Sequence, residues 1–313
     1  MEKRNSNTIS LTKRAKKLAR SNDIDYVGIA PVDRFVNAPQ GHKPTDLLPS
    51  AESVISMGIR VSLGPQLTQR IALANQKLRH ISFSYRWYGY GLLNMYFLDR
   101  AALLMVKLLE DEGYISLPIV ASGVEDTRRL MAAFSNRHAA VAAGLGQFGW
   151  NGICLTPDVG PRARFVSVIT SAKLLPDSMY EGPNLCNQDK CRNVSGGQPV
   201  CASVCPINAF SSSKNVCVLI GGKKFEYAWM DHMTCGKVVG IGLHPKVMGP
   251  KDIVIPKKVN YKSGLSLRAK TPAKNVLEVA VYGRGHFCGL CMLRCPVGAS
   301  DLVEEIMRHK ETK

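Results

Sequence analysis

One short pattern, present twice, limits this chain more than any other feature: Cys201-x3-Cys205-Pro206 and Cys291-x3-Cys295-Pro296. Further cysteines stand ahead of each copy, Cys186 and Cys191 before the first and Cys288 before the second. Thiols this close in sequence can face one another only if the backbone loops around a common centre. Proline, with a fixed φ and no N–H to give, turns the chain away from that centre. These segments are therefore expected to be loops organised by what the sulfurs hold, not by apolar burial. The N-terminal "MEKRNSNTISLTKRAKKLAR" is basic but has no apolar core or small-residue cleavage site of a secretory signal. No apolar run approaches the ~20 residues of a membrane span. The expected address is cytoplasmic with no membrane association, and in a reducing compartment bunched thiols read as metal ligands rather than disulfides.

Bacterial ferredoxins use a Cys-Pro after closely spaced cysteines, and that last cysteine binds the other of two clusters. By this crossover logic Cys186, Cys191 and Cys201 take Cys295 as their fourth partner, while Cys205 joins Cys288 and Cys291. The second set needs one more thiol, from Cys235 or Cys217. Cys217 sits inside the apolar run "VCVLI", where burial as a small hydrophobe is expected, so Cys235 is preferred. Structural zinc sites also use Cys-x2-Cys, but zinc gives no reason for a duplicated Cys-x3-Cys-Pro. The expectation is two 4Fe–4S clusters, with a first loop (x4, x9) wider than the bacterial pattern. Cys154, in "GICLTP", is left for the core.

Two clusters in one short region make an electron relay, which needs an acceptor. Residues 1–175 alternate helix-like and strand-like runs, among them "SLTKRAKKLARSNDI", "DYVGIA", "SVISMGIRV", an apolar-faced helix from Tyr90 to Gly113, "YISLPIVA", a helix around Thr127 to Ala143, and "RARFVSVIT". This is a mixed α/β core. Residues 176–313 are rich in Cys, Asn, Gly and Pro near their start, carry a hairpin-like run into Cys235, and hold a basic insertion at about 236–287 that reads as a lid or docking face. The formal net charge is +17, which suits an acidic low-potential electron donor such as a ferredoxin or flavodoxin, or an anionic substrate. No Lys/Arg run interleaves with aromatics as in RNA-binding modules, so a small-molecule substrate is preferred to tRNA.

Other signals are weaker. Gly144-x-Gly146-x-x-Gly149 matches a dinucleotide fingerprint in form, but a helix-like segment precedes it and a strand follows, the wrong order for a phosphate site. "SYRWYGY" gathers Tyr85, Trp87, Tyr88 and Tyr90; Tyr88 and Tyr90 are the candidate proton donors. His138, on an apolar helix beside Arg137, reads first as a hydrogen-bonded core residue. Glu125, Asp126 and Arg128 read as a helix cap and a solvated face.

In "AGLGQFGWNGICLTPDVGPRARFVSVIT" followed by the two Cys-x3-Cys-Pro motifs, the chain resembles the superfamily of epoxyqueuosine reductases and reductive dehalogenases. The likeness extends through "VGIAPVDRF", "LLPSAESVISMGI" and the hairpin into Cys235, and supports Cys235 over Cys217. The resemblance implies a nitroreductase-like α+β core that binds base-off cobalamin, beside a ferredoxin-like module with two 4Fe–4S clusters. It implies reductive cleavage of a C–O, C–halogen or related bond. It would set Gly144, Gly146, Gly149, Trp150, Asn151, Gly152 and Arg162 against the corrin, with His138 in the same cofactor-binding group. The chain departs from epoxyqueuosine reductases in having no carboxylate near Leu130, where their acid is expected, and in Val297-Gly298 after Cys-Pro where they place Trp-Asn. Epoxyqueuosine reduction in tRNA and electron transfer to another protein's corrinoid are the competing expectations.

Overall fold

A computed structural model describes residues 2–123, 131–235 and 288–311. The insertion at 236–287 and the positions of Glu125, Asp126, Arg128 and Leu130 lie outside these residues.

Helix α1 (Glu2–Arg20) buries Leu11, Ala15 and Ala19, one residue per helical turn. It feeds strand β1 (Tyr26–Pro31), and a short helix α2 (Pro44–Leu47) precedes β2 (Ser53–Arg60). Helix α3 (Leu63–Ala74) follows, then α4 (Ser82–Arg86), which continues through two π-helical stretches, Trp87–Gly91 and Leu93–Leu98, into α5 (Asp99–Asp111). After α5 come β3 (Ser116–Ile119), α6 (Asn136–Ala142), the short β4 (Gln147–Phe148) and β5 (Cys154–Leu155), and β6 (Ala163–Thr170). The cysteine region holds α7 (Gln188–Ser195), α8 (Val200–Ser203), the hairpin β7 (Phe210–Ile220) and β8 (Lys223–Met230), then α9 (Leu290–Leu293) and α10 (Asp301–Glu311).

The main sheet has the order β1-β2-β6-β3, with every pair antiparallel. Its two middle strands are buried almost throughout, because both faces are covered. On one face Ile29, Ile55, Met57, Val166 and Val168 meet α1 and α5. Leu98, Met105 and Leu109 are fully buried there, each contributing about 1.5–3 kcal/mol. On the other face Ala30, Val54, Phe165 and Ile169 meet the alanines of α6 and the hairpin residues Ile220 and Tyr227. Alternation along each strand produces the two sets.

A row of small residues lets α6 sit close. Gly28, Ser56 and Ser167 stand side by side across three strands, and a Cβ on Gly28 would lie 2.3 Å from the Ala143 carbonyl. The helix expected from Thr127 is seen from Asn136, with Ser135 as its N-cap. Among the described residues no helix is long and apolar enough to cross a membrane.

Candidate functional site

Two cavities lie where the cysteine region meets the sheet core. The smaller is walled by Cys186, Cys191, Cys201 and Cys295. The larger, about 200 Å³, is walled by Cys205, Cys235, Cys288 and Cys291. These are the two groups of four that the spacing suggests, and each draws on both ends of the region. Cys217, expected to be buried, is instead exposed on β7 and lines neither cavity. Its strand is the outer part of a two-stranded ribbon, so apolar neighbours in sequence do not bring burial. Cys154 is buried in the core.

Local structure explains how the sulfurs are held. Helix α7 has no buried residue; Asn187 caps it by accepting from the Lys190 N–H, and Gly196 closes it in the left-handed region, where a side chain would be strained. With no apolar anchor, this segment takes its position from its caps and from its cysteines. Backbone N–H groups of Trp150, Val200 and Ala209 donate to the sulfurs of Cys186, Cys191 and Cys205 at 3.2, 3.1 and 3.3 Å. Such bonds favour thiolate and, in a cluster site, tune its potential. Burial, then the mutual repulsion of neighbouring sulfurs, pushes the Cys201 thiol up to about 12. Cys288 rises to about 12, Cys235 to about 11 and Cys291 well above its ordinary value, burial again the first cause. Thiolates so crowded need a strong positive centre among them, which a metal cluster provides. Four thiols per cavity with N–H donors on the sulfurs fit a 4Fe–4S cluster. Among the described residues no three His, Cys, Asp or Glu side chains converge on the position of a single metal ion.

Core side chains reach across to the C-terminal cysteine segment. Gln69 donates to the Cys288 carbonyl at 3.2 Å and Asn151 to the Cys291 carbonyl at 3.3 Å. Arg162, 3% exposed, gives its guanidinium to the carbonyls of Leu293, Cys295 and Val297.

The residues that the resemblance assigns to a corrin do not form a face for one. Arg162 is taken up by the cysteine loop, as just described. The left-handed Gly144 packs against Ser178, and a Cβ on Gly146 would lie 1.9 Å from the Leu155 carbonyl; both glycines serve close approach of the chain to itself. Gly152, also left-handed, lies under the Tyr227 ring and Arg137. His138 is enclosed, its Nδ1 paired with Ser135 Oγ at 2.6 Å and its Nε2 with the Tyr227 hydroxyl at 3.3 Å. Gly149 and Trp150 border the smaller cavity, and Asn151 borders both. These positions fit cluster housing; they do not fit a corrin, and no step is derived through one.

Besides cysteines, the larger cavity is lined by Tyr85, Tyr90, Arg137 and Arg164. Arg164 donates to the Tyr85 hydroxyl at 2.9 Å and lies 4.9 Å over the Tyr90 ring, whose hydroxyl pairs with Ser122 Oγ. Tyr85 is 1% exposed. Its burial raises the phenol's pKa, against which Arg164 pulls it down, so it keeps its proton near neutrality. Tyr88, expected beside Tyr90, is 55% exposed and lines neither cavity. The π-helical turn is the reason. At α-helical period Tyr85 shares a face with Tyr88, three residues on; a π turn, bonded i to i+5, brings Tyr90 round instead. Nothing in the sequence singles out Tyr85 and Arg164 as site residues, although the two arginines of "GPRAR", two apart at a strand start, share one side of that strand.

No known family profile matches the chain. A stretch of 109 residues is 36% identical to the tetrachloroethene reductive dehalogenase of Dehalobacter restrictus, covering 31% of this chain and 18% of that protein. The enzyme of the same name from Desulfitobacterium hafniense matches to the same extent. The chain thus spans less than a fifth of these relatives' length. Among solved structures, the catabolic reductive dehalogenase NpRdhA in complex with 3-bromo-4-hydroxybenzoic acid overlays with a TM-score of 0.48 at 18% identity, over 72% of this chain and 28% of that one. Epoxyqueuosine reductase from Streptococcus thermophilus overlays with a TM-score of 0.41 at 14% identity, over 91% of this chain and 65% of that one. Overlays this loose carry no argument, and kinship rests on the sequence match. By that match, a stretch of about a third of the chain is similar to part of the tetrachloroethene reductive dehalogenases.

Proposed function

We propose that this protein is an iron–sulfur oxidoreductase in which two 4Fe–4S clusters, one per cysteine-walled cavity, carry electrons from an acidic low-potential donor to a reducible substrate that lies next to the second cluster, on the Tyr85 side of the larger cavity. The observation that carries the reading is the partition of eight cysteines into two groups of four, each walling a separate cavity. Bound clusters would supply one-electron transfers at low potential. The chain's own residues supply the rest. Arg164 orients the Tyr85 hydroxyl and leaves its proton free to face the cavity, where a reduced substrate would take it. Ile153, Ile207, Met230 and Leu290 line the remaining wall and keep it apolar, which strengthens the field of Arg164 there.

The likeness to reductive dehalogenases supplies the finer reading: reductive cleavage of a C–O, C–halogen or related bond by a nitroreductase-like core and a ferredoxin-like module, with base-off cobalamin, if bound, seated elsewhere than on the residues first assigned to it. The net charge of +17 is the feature that favours the alternative of epoxyqueuosine in tRNA.

Anaerobic reconstitution with iron and sulfide, followed by metal analysis and cobalamin titration, tests these readings in order. About eight irons per chain are expected for two such clusters, and zinc in their place overturns the proposal. A changed corrin spectrum supports cobalamin-dependent reduction; clusters without cobalamin binding support electron transfer to another protein's cofactor. Turnover is then assayed as bromide release from 3-bromo-4-hydroxybenzoate and as epoxide loss from a tRNA stem-loop. Tyr85→Phe should lower turnover about 100-fold or more with iron content unchanged. Full activity in that variant would remove Tyr85 from the chemistry.

A further inference from the structure

Arg162 lies at the end of a turn whose backbone is locked into the C-terminal cysteine loop. A Cβ on Gly160 would lie 2.1 Å from the Val297 carbonyl, and one on Gly298 would lie 2.4 Å from the Val159 carbonyl carbon. Both glycines are left-handed, at φ +58° and +61°, so each position suits glycine on two counts. Val297-Gly298, the departure from the Trp-Asn of the related reductases, is thus half of an interlock with Gly160. Across this interlock the guanidinium reaches three carbonyls of alternate residues: Leu293 at 3.1 Å, Cys295 at 2.5 Å and Val297 at 2.7 Å. It also touches the Val159 carbonyl of its own turn at 3.3 Å. A planar fork with five donors can do this; an ammonium on a flexible stem cannot.

We infer that Arg162 is a positioning residue for the Cys186–Cys191–Cys201–Cys295 cluster: it holds Cys295 in place to close that cluster, and its buried charge raises the cluster's reduction potential. The inference rests on the two-cluster reading above. Cys295 is the single member of its set that comes from the C-terminal segment, so the fourth corner depends on how the 293–298 loop is seated. Uptake of one electron, from dithionite in the test, adds one negative charge to the cluster. A guanidinium in direct contact with the Cys295 carbonyl favours that reduced state. The second set does not depend on this contact, since Cys288 and Cys291 are seated by Gln69 and Asn151.

The test compares full-length wild type, Arg162→Met and Arg162→Lys after anaerobic reconstitution, by iron content, electron paramagnetic resonance and dithionite titration of each cluster. Both variants lose the fork and should show a three-iron signal from the first cluster, while the second cluster's four-iron signal is unchanged. In the four-iron fraction that remains, Arg162→Met should be reduced at a more negative potential than wild type, and Arg162→Lys, which keeps the charge, near the wild-type value. If Arg162→Met does not fold, Gly298→Ala displaces the loop with the guanidinium intact and should give the same three-iron signal. Complete iron and wild-type potentials in the variants overturn the inference alone. Absence of iron from wild type overturns the two-cluster reading and this inference with it.

Discussion

His138 shows how one buried ring sets a property of the whole fold. Burial first, and then the charge of Arg137, depress its pKa from 6.5 to about 3. The unfolded chain therefore binds a proton that the folded chain refuses, and stability falls as pH drops from about 6.5 toward 3. Ser135, Tyr227, Phe148 and Arg137 surround the ring, and none offers it a carboxylate. His138→Gln should cost about 1–3 kcal/mol at pH 8 through lost hydrogen bonds, yet the gap to wild type should narrow as pH falls. Urea melts at pH 8, 6 and 4.5 read this out, and a constant gap would deny the imidazole that role. The sequence suggests a core histidine here, because Ala139, Ala140 and Val141 follow it. The same kind of reading chose Tyr88 over Tyr85, since nothing local to "SYRWYGY" announces a π turn.

At the scale of elements, α3 and α10 are joined by a forked ion pair. Arg70 gives both terminal nitrogens to Glu304, at 2.5 and 3.1 Å, with Arg70 3% exposed and Glu304 38%. Burial alone would raise the Glu304 carboxyl, but the Arg70 hydrogen bonds and charge hold it below its ordinary 4.5. Its stabilisation is present above pH 4.5 and fades as pH falls through the depressed value. Glu304→Gln should therefore cost about 1 kcal/mol at neutral pH, a figure kept low because the carboxylate is partly solvated. Thermal melts at pH 7 and at successive pH values below 4.5 should show the cost in full at the first and a progressively smaller one below. Strands and the hairpin were legible from runs of β-branched and apolar residues. The antiparallel order β1-β2-β6-β3 was not, because pairing partners such as Ile55 and Val168 lie more than a hundred residues apart. The pairing of Arg70 with Glu304 escapes sequence for the same reason.

For the whole molecule, the charge of +17 belongs with the donor proposed above. Attraction to an acidic ferredoxin or flavodoxin is screened by salt, with a Debye length of about 10 Å at 0.1 M. The KM for such a donor should rise several-fold between 50 and 300 mM salt while the maximal rate holds; an insensitive KM would argue for apolar docking. Spacing along the chain groups the cysteines as the two cavities do, and the run ahead of Cys235 reads as the hairpin that β7 and β8 form. Those are properties of neighbours, set by period, by proline and by the short reach of a thiol. Tertiary structure decided the rest: that Cys217 faces solvent, that the glycine turn packs on its own backbone, and that Arg162 reaches the Cys295 loop while Arg164 joins Tyr85. Each of these depends on which distant segment fills the space beside a residue, and that is settled by packing the sheet, α6 and the C-terminal loop together.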